Sequence, residues 1–363
     1  MKMHLNKTIL AILACGLVIM TAEAGRKGKR WTEEQANAWY AQLPWLVGCN
    51  YNPATAINQI EMWSDATYDP VQIDKELAWA EEIGFNTMRV FLSSVVWEHN
   101  PQELKNNMNH FLGICEKHHI RPFFVLLDDN WLPESSYGKQ PEPQPGVHNS
   151  GWVKDPALSL RKDTVQLYRF LRRYFKDVIG SFRNDKRILF WDIYNEPGAQ
   201  HIGVVSYHLM KKTYEWAREA RPSQPITSSI CEMGPENVKL QAFQLENNDI
   251  NTYHNYKDAA DQEQMIKYLR MANRPLLCTE YMARKFNSTF QTVLPILKKH
   301  RVGAINWGFV AGKTQTNFAW GEPLPDKKEP ELWFHDILRM DGTPFSQEEV
   351  DTIKALLKDN GRF

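Results

Sequence analysis

The chain lacks an excess of either charge, since 43 Lys and Arg residues face 43 Asp and Glu residues in a length of 363. Nucleic acids and anionic membrane surfaces bind proteins with a clustered positive excess, so this balance argues against both as the main partner. Long apolar runs are lacking too. The apolar stretch from Thr8 to Met20 is shorter than the roughly 20 residues that a membrane-spanning helix needs, so we expect no membrane span.

Several sequence signatures of catalysis are also missing. The chain has no C-x-x-C, H-x-H or H-E-x-x-H, so we expect no metal and no cofactor. It has no G-x-S-x-G, G-x-G-x-x-G or G-x-x-x-x-G-K-S/T, which argues against a nucleophile elbow, a dinucleotide site and a phosphate-binding loop. The spacing of Cys49, Cys115, Cys231 and Cys278 demands no disulfide, and most of them lie in apolar runs where a thiol behaves as a small hydrophobe.

The N-terminus has the three parts of a secretory signal. A short basic segment precedes the apolar run, and an A-x-A site ending at Ala24 follows it. We therefore expect residues 1–24 to be removed and residues 25–363 to be exported as one domain to the periplasm or the extracellular space. A lipoprotein attached through Cys15 is the alternative.

Eight short β-branched or aromatic runs alternate with longer segments of helical periodicity. The strand runs are apolar through most of their length, which is typical of a parallel sheet buried on both faces. Eight such units predict a single-domain α/β fold, the (β/α)8 or TIM barrel, with a doubly wound open sheet as the alternative. The predicted strands are Leu46–Asn50, Asn86–Leu92, Pro122–Leu127, Ile188–Tyr194, Ile226–Ile230, Ile250–Tyr253, Leu276–Tyr281 and Gly303–Phe309. The predicted helices are 71–83, 101–118, 157–180, 202–219, 235–245, 259–272, 287–300 and 346–358.

The connections differ in length at the two ends of the predicted barrel. Links from a helix to the next strand are short, whereas the strand-to-helix links Tyr51–Pro70, Asp128–Pro156 and Val310–Phe345 are long. In a barrel the strand-to-helix loops all lie at the C-terminal face, where active sites form, so we expect the functional site there. The proline-rich segment Leu132–Gly151 is either a stiff lid or a spacer.

Two glutamates lie at the ends of predicted apolar strands. Glu196 follows strand four and Glu280 ends strand seven. For either one alone, a structural ion pair explains a buried carboxylate about as well as catalysis does. Two at the same rim favour catalysis and suit glycoside hydrolysis, in which one carboxylate is the nucleophile and the other is first an acid and then a base. We expect the neighbouring negative charge to raise the pKa of the acid.

Aromatic residues are abundant, with 13 Trp in the chain. Pockets for small ligands are lined mainly by apolar and aromatic side chains. Flat aromatic faces also pack well against sugar rings. The absence of net charge agrees with a neutral or weakly charged saccharide.

Several motifs resemble the retaining (β/α)8 glycoside hydrolases of clan A, which include the cellulase-like family 5 and the catalytic domains of family 2. The resemblance covers nearly the whole chain after residue 24. It implies hydrolysis of O-glycosidic bonds with Glu196 as the acid/base and Glu280 as the nucleophile. The motifs are Gly84-Phe85-Asn86-Thr87-Met88-Arg89, Asn195-Glu196-Pro197, His254-Asn255-Tyr256, Glu280 and Trp307.

The same resemblance implies roles for the residues around the two glutamates. Arg89 would hold the nucleophile ionised and oriented, and Asn195 would donate to the sugar 2-hydroxyl. His254 and Tyr256 would hydrogen-bond the two carboxylates. Trp307 would stack on the sugar ring beside the cleaved bond.

Other residues near the long loops are weaker candidates for sugar binding. Asp128 and Trp131 follow strand three, where many relatives carry a His-Asn or similar polar pair, so the identity of the sugar stays open. Trp320 is a rim candidate. Trp63, Trp97, Trp152 and Phe318 could line subsites, Glu98 and Glu232 could contact sugar, and Asp192 is expected to be structural.

The expected partner is an oligo- or polysaccharide, with β-mannan, β-glucan or xylan favoured and a furanoside as an alternative within the clan. A non-catalytic glycan-binding protein on the same barrel is the alternative from another class, but it would not need both glutamates. Endo or exo action depends on whether the long loops form a groove or a pocket. We expect a monomer.

Overall fold

The computed structural model describes residues 28–231 and 237–363. The predicted signal segment 1–24, Cys15 and the candidate Glu232 lie outside these ranges. Within the described ranges, each helix is too short or too polar to span a bilayer.

Eight parallel strands form one sheet: β1 (Val47–Asn50), β2 (Thr87–Phe91), β3 (Phe123–Val125), β4 (Trp191–Asp192), β5 (Ile226–Thr227), β6 (Asn251–His254), β7 (Leu276–Glu280) and β8 (Gly303–Asn306). Their order in the sheet is β5-β4-β3-β2-β1-β8-β7-β6. A parallel bridge between Ile230 and Tyr253 joins the two end strands and completes the ring. The predicted (β/α)8 barrel is confirmed, and the open sheet is wrong.

The helices that surround the barrel follow from local sequence signals. The third helix is typical: the Asp69 side chain accepts from the backbone N–H of Gln72, Pro70 begins the helix, and Gly84 ends it at φ 103°. The helices are α1 (Glu33–Ala41), α2 (Gln59–Trp63), α3 (Pro70–Ile83), α4 (Ser94–His99), α5 (Pro101–Lys117), α6 (Thr164–Phe182), α7 (Ser206–Ala220), α8 (Val238–Asn247), α9 (Ala259–Leu269), α10 (Leu294–Lys299) and α11 (Gln347–Leu357).

Several predicted boundaries are wrong. Strand four is predicted over 188–194, but the regular strand is only Trp191–Asp192, although Leu189 and Ile193 still donate backbone hydrogen bonds to the neighbouring strand segments. Of the helix predicted over 287–300, only Leu294–Lys299 is α-helical. The short helices α1, α2 and α4 were not predicted, since a few buried positions give little periodicity over one or two turns.

The register of the sheet aligns polar residues at the C-terminal ends of the strands. Asn50 at the end of β1 pairs with Arg89 on β2. His254 at the end of β6 pairs with Glu280 at the end of β7, after a register shift between Tyr253 and His254. These alignments place the predicted functional side chains at one rim.

The barrel interior is apolar at the opposite, N-terminal end. The rings of Phe123 and Phe190 stack there with centroids 4.0 Å apart. Leu277 and Ile305 join them, and α1 covers this end by packing Tyr40 into the same cluster. Burial of these side chains stabilises the barrel at a distance from the polar rim.

Candidate active site

A pocket of about 360 Å³ opens at the C-terminal ends of the strands. This volume lies in the range of small-ligand sites, roughly 300–1,000 Å³. Nine of the ten predicted site residues line it, and the tenth, Arg89, lies beneath it. A larger groove, of about 1080 Å³, lies outside the barrel between helices and contains none of them. The pocket lining comprises Asp128, Asn130, Trp131, His148, Asn149, Trp152, Asn195, Glu196, Gln200, Cys231, His254, Tyr256, Glu280, Trp307 and Trp320.

Arg89 holds the floor of the pocket together. Its side chain is fully buried, and Nη1 donates to Glu280 Oε1 at 2.7 Å and to Asn50 Oδ1 at 3.0 Å. Nη2 donates to Asp192 Oδ2 at 2.8 Å and to Asn195 Oδ1 at 2.7 Å. Charge-assisted hydrogen bonds of this kind fix both partners. Arg89 therefore positions pocket residues from below rather than contacting a ligand itself, and Asp192 is structural, as predicted.

We predict that Arg89→Met lowers the free energy of unfolding by about 3–5 kcal/mol, because it leaves Asp192 and Glu280 buried without their counter-charge. Urea denaturation followed by circular dichroism measures the change. Arg169→Met, at an exposed site on α6, is the matched control and should shift stability by less than about 0.5 kcal/mol. A similarly small change for Arg89→Met would contradict this role.

Glu280 is held at both carboxylate oxygens. Oε1 accepts from Arg89, and Oε2 accepts from the Tyr256 hydroxyl at 2.7 Å. His254 Nδ1 lies 3.5 Å from Oε2. Burial raises the pKa of Glu280 and the charge of Glu196 adds to this, while His254, Arg89 and Tyr256 favour the carboxylate and limit the rise.

Glu196 lies in a tight turn directly after strand four. Its backbone is left-handed, at φ 43°, which aims the side chain across the pocket. Oε2 accepts from Asn130 Nδ2 at 2.8 Å, and Oε1 lies 2.5 Å from His254 Nδ1. Burial alone would raise the pKa of Glu196, but the charge and hydrogen bond of His254 and the hydrogen bond of Asn130 lower it overall. The expectation of a raised pKa for the acid is therefore wrong.

Asp129 anchors the turn that carries Glu196. Its carboxylate accepts from the backbone N–H of Gly198 at 2.8 Å, from the Tyr194 hydroxyl at 2.7 Å and from the Ser206 hydroxyl at 2.5 Å. Since the residue is fully buried, these bonds form in a low-dielectric environment, where they are strong. They hold the left-handed turn in place.

Asp128 organises the wall next to Glu196. Its Oδ1 accepts from Asn195 Nδ2 at 2.8 Å, and its Oδ2 accepts from Trp152 Nε1 at 2.8 Å. Burial raises the pKa of Asp128 to about 7, although hydrogen bonds from Asn195, Trp152 and Asn130 oppose the rise. Asp128 thereby fixes the amide of Asn195 and the indole of Trp152 at the pocket surface.

The predicted aromatic residues fall into two groups. Trp307, at the end of β8, is half-buried, and the edges of Phe91 and Trp152 support it at centroid distances of 5.9 and 6.2 Å. Trp131 and Trp320 both pack against His148, with ring centroids 5.3 and 6.1 Å from its own. Other candidates are not pocket residues: Trp63, Trp97 and Phe318 are buried in packing, and Glu98 is exposed on α4.

Five pocket residues were not predicted as site residues from the sequence: Asn130, His148, Asn149, Gln200 and Cys231. Asn130 directly follows Asp128 and Asp129, so the polar run after β3 could have indicated it. His148 and Asn149 come from the proline-rich segment and Gln200 from the turn after β4. No local pattern marks them, because only the pairing of distant loops brings them to the pocket.

Within the described part of the chain, one group of three side chains could hold a metal ion: Glu196, His254 and Glu280, with ligand atoms within 4.8 Å of one another. His254 Nδ1 already hydrogen-bonds to Glu196 Oε1, and Arg89 donates to Glu280 Oε1. A cation would therefore compete with a buried guanidinium for the same carboxylate.

Comparison with known proteins agrees with this geometry. Residues 149–316 match the family model described as "Glycosyl hydrolases family 2, TIM barrel domain". The match includes β4 through β8 and therefore both glutamates. A search of curated protein sequences gave no match.

Solved structures with the same fold have low sequence identity. A GH5_18 variant from Streptomyces cattleya, in complex with Manβ1-4GlcNAc, is 12% identical with a TM-score of 0.60, covering 86% of this chain and 79% of that one. An exo-β-1,4-mannosidase from Opitutaceae bacterium strain TAV5 is 19% identical with a TM-score of 0.56, covering 86% and 60%. The endo-β-1,4-mannanase from Thermotoga petrophila is 12% identical with a TM-score of 0.54, covering 86% and 76%. The resemblance inferred from the sequence is confirmed: the chain has the (β/α)8 fold of these glycoside hydrolases, and residues 149–316 match the family 2 barrel domain.

Proposed function

We propose that the protein is a retaining glycoside hydrolase. The observation that carries this proposal is the pair of carboxylates at one rim, Glu196 and Glu280, each with an oxygen within 4.8 Å of the other's. Retaining enzymes keep their two carboxyl groups about 5–5.5 Å apart, whereas inverting enzymes separate them by about 6.5–9.5 Å to admit a water. The short separation favours double displacement.

Glu280 has the environment of the nucleophile. Arg89 and Tyr256 fix its two oxygens in place, so the carboxylate needs little reorganisation to attack the anomeric carbon. The attack breaks the glycosidic bond and forms a glycosyl ester with Glu280. Water then attacks the anomeric carbon from the face that the leaving group left, which breaks the ester, frees Glu280 and restores the starting configuration.

Glu196 supplies and recovers the proton. In the first step the leaving oxygen takes a proton from Glu196, and in the second step Glu196 takes one from the attacking water. His254 Nδ1 lies 2.5 Å from Glu196 Oε1 and holds this side chain in position. Asn195 Nδ2 donates one of its two hydrogens to Asp128 Oδ1. The second hydrogen can be donated to the sugar 2-hydroxyl.

We predict that His254→Ala moves the alkaline limb of the kcat/KM–pH profile to higher pH. His254 lowers the pKa of Glu196, so its removal should raise that pKa and keep the acid protonated at higher pH. The profile of purified variant on an aryl glycoside measures the shift. His300→Ala, which removes a histidine paired with Glu263 on the outer helices, should leave the profile unchanged. A limb that moves to lower pH would contradict the assignment.

The substrate we propose is a β-linked poly- or oligosaccharide, with β-mannan first and β-glucan or xylan next. Two of the structural neighbours, an exo-β-1,4-mannosidase and an endo-β-1,4-mannanase, support mannan. The half-buried face of Trp307 supports a sugar ring as the ligand.

We further propose that the segment 1–24 directs export. N-terminal sequencing of protein from the culture medium and the periplasm tests this proposal.

The proposal is tested by incubating the protein with mannan, β-glucan, xylan and furanosides, and by sizing the products. The anomer formed first is then followed by NMR, and we expect it to have the configuration of the substrate. First appearance of the opposite anomer would refute retention. Binding of a glycan without turnover would instead support the non-catalytic glycan-binding alternative.

A further inference from the structure

One side of the pocket is closed by loops that are hydrogen-bonded to one another. The backbone N–H of Asn149 donates to the carbonyl oxygen of Thr314 at 2.8 Å. His148 Nδ1 donates to the carbonyl oxygen of Phe318, also at 2.8 Å. We call the three loop segments involved the closing wall: residues 54–61, 146–153 and 313–320.

The loop after β1 completes the closing wall. Asn58 Nδ2 donates to the carbonyl oxygen of Gly151 at 2.8 Å. The backbone N–H of Lys313 donates to the carbonyl oxygen of Ala54 at 2.9 Å. Lys313 Nζ also lies 2.9 Å from Glu61 Oε1. The loops after β1, β3 and β8 therefore meet above β1 and β2, which lie between β8 and β3 in the sheet.

The position of Glu196 sets the direction in which a bound sugar chain runs. The glycosidic oxygen must lie near Glu196, and the anomeric carbon must lie near Glu280. In a pyranose the C4 end of the ring is opposite C1, so it points away from Glu196. Because β4 and β8 are opposite each other in the barrel, this end faces the closing wall, while the leaving group lies on the Glu196 side, where Gln200 is exposed.

Asn149 presents an unused polar group at the closed end. Asn149 lines the pocket and is 1% exposed. Neither its side-chain nitrogen nor its side-chain oxygen has a hydrogen-bond partner. A buried polar group without a partner is unfavourable, so such a group is stabilised by a ligand that supplies the missing bonds. A second cavity of about 20 Å³, which Asn149 also lines, has room for one water. Sugar hydroxyls can serve the amide from the pocket side.

We propose that the enzyme is exo-acting: it removes single sugars from the non-reducing end, and Asn149 binds the C3 or C4 hydroxyl of that terminal sugar. This inference rests on the proposed glycoside hydrolase function. A chain that continued beyond C4 would run into the closing wall. The free hydroxyl of a chain end instead fits beside the Asn149 amide.

The mode of action is tested with β-1,4-linked manno-, gluco- and xylohexaose reduced at the reducing end. We expect the hydrolysed hexaose to give the free monosaccharide and the pentaose alditol as the first products, seen by mass spectrometry at low conversion. Early internal fragments, such as disaccharide and trisaccharide alditols, would overturn exo action and leave glycoside hydrolysis intact. No cleavage of any hexaose or of the corresponding nitrophenyl glycosides would overturn the proposed function and this inference with it.

The role of Asn149 is tested with nitrophenyl glycosides whose C3 or C4 hydroxyl is replaced by hydrogen. For the wild type, loss of the bound hydroxyl should lower kcat/KM by about 10-fold or more, because the amide is left unpaired. In Asn149→Ala, kcat/KM for the parent substrate should fall by a similar factor. Replacing the hydroxyl by hydrogen should then lower kcat/KM of this variant by less than about 2-fold. Equal deoxygenation penalties in wild type and variant would overturn the assignment.

Gln315→Ala is the matched control. Gln315 accepts from the backbone N–H of Gly146 and donates to the carbonyl oxygen of Gln144, but it does not line the pocket. The variant therefore loosens the closing wall without removing the amide. In this variant, replacing the hydroxyl by hydrogen should lower kcat/KM by the same factor as in the wild type. If that loss disappeared in Gln315→Ala as it does in Asn149→Ala, direct binding of the hydroxyl by Asn149 would be overturned.

Discussion

Glu280→Gln is expected to lower the rate of glycoside hydrolysis by about four orders of magnitude or more, because a neutral amide cannot form the glycosyl ester. The shape of the side chain is preserved, so Arg89 and Tyr256 keep a partner in place of the carboxylate. Steady-state rates on an aryl glycoside measure the loss. Glu98→Gln, at an exposed glutamate on α4, is the matched control and should retain the wild-type rate.

Azide distinguishes the nucleophile from the acid/base. In Glu280→Ala, azide can enter the space of the lost carboxylate and attack the anomeric carbon directly. One displacement gives a glycosyl azide of inverted configuration. Failure of azide to restore any turnover, together with substantial residual activity in Glu280→Gln, would refute the nucleophile assignment.

Glu196→Gln is expected to have an effect that depends on the leaving group. A positioned general acid contributes about 10²–10⁴-fold, so hydrolysis of oligosaccharides should fall by this factor. A dinitrophenol leaving group needs no proton, and formation of the glycosyl-enzyme from a dinitrophenyl glycoside should therefore stay close to the wild-type rate. Pre-steady-state measurement of dinitrophenolate release separates this step from the slower hydrolysis of the intermediate.

The control for this prediction is the configuration of an azide product. In Glu196→Ala, azide replaces water in the second step and attacks the glycosyl ester of Glu280, so the glycosyl azide should have the configuration of the substrate. Full activity of Glu196→Gln on oligosaccharides would remove Glu196 as the acid.

The sequence predicted the barrel and the two glutamates because their signals are local. Each buried strand is a short apolar run, and Glu196 and Glu280 each stand at the end of one. A parallel barrel then brings strand ends to one rim without further information. The motif Asn195-Glu196-Pro197 added a resemblance that the matched family model supports.

Other features depend on distant contacts and could not be predicted. The pKa of Glu196 is lowered because His254 lies 2.5 Å away, a distance set by the register shift between β6 and β7. His148 and Asn149 reach the pocket only because the proline-rich segment packs against the loop after β8. Residues 148 and 149 of that segment are therefore fixed against the loop after β8.

The closing wall also has a consequence for folding. His148 and Phe318 are 170 residues apart in the chain, and the loop that carries Phe318 follows the last strand. Contacts of such long range form late, since the entropy of closing a long loop opposes them until the intervening elements are in place. During synthesis, Glu196 after β4 and Glu280 at the end of β7 emerge before the polypeptide that completes their surroundings. The closing wall is therefore completed only at the end of folding, after β8 has joined β1.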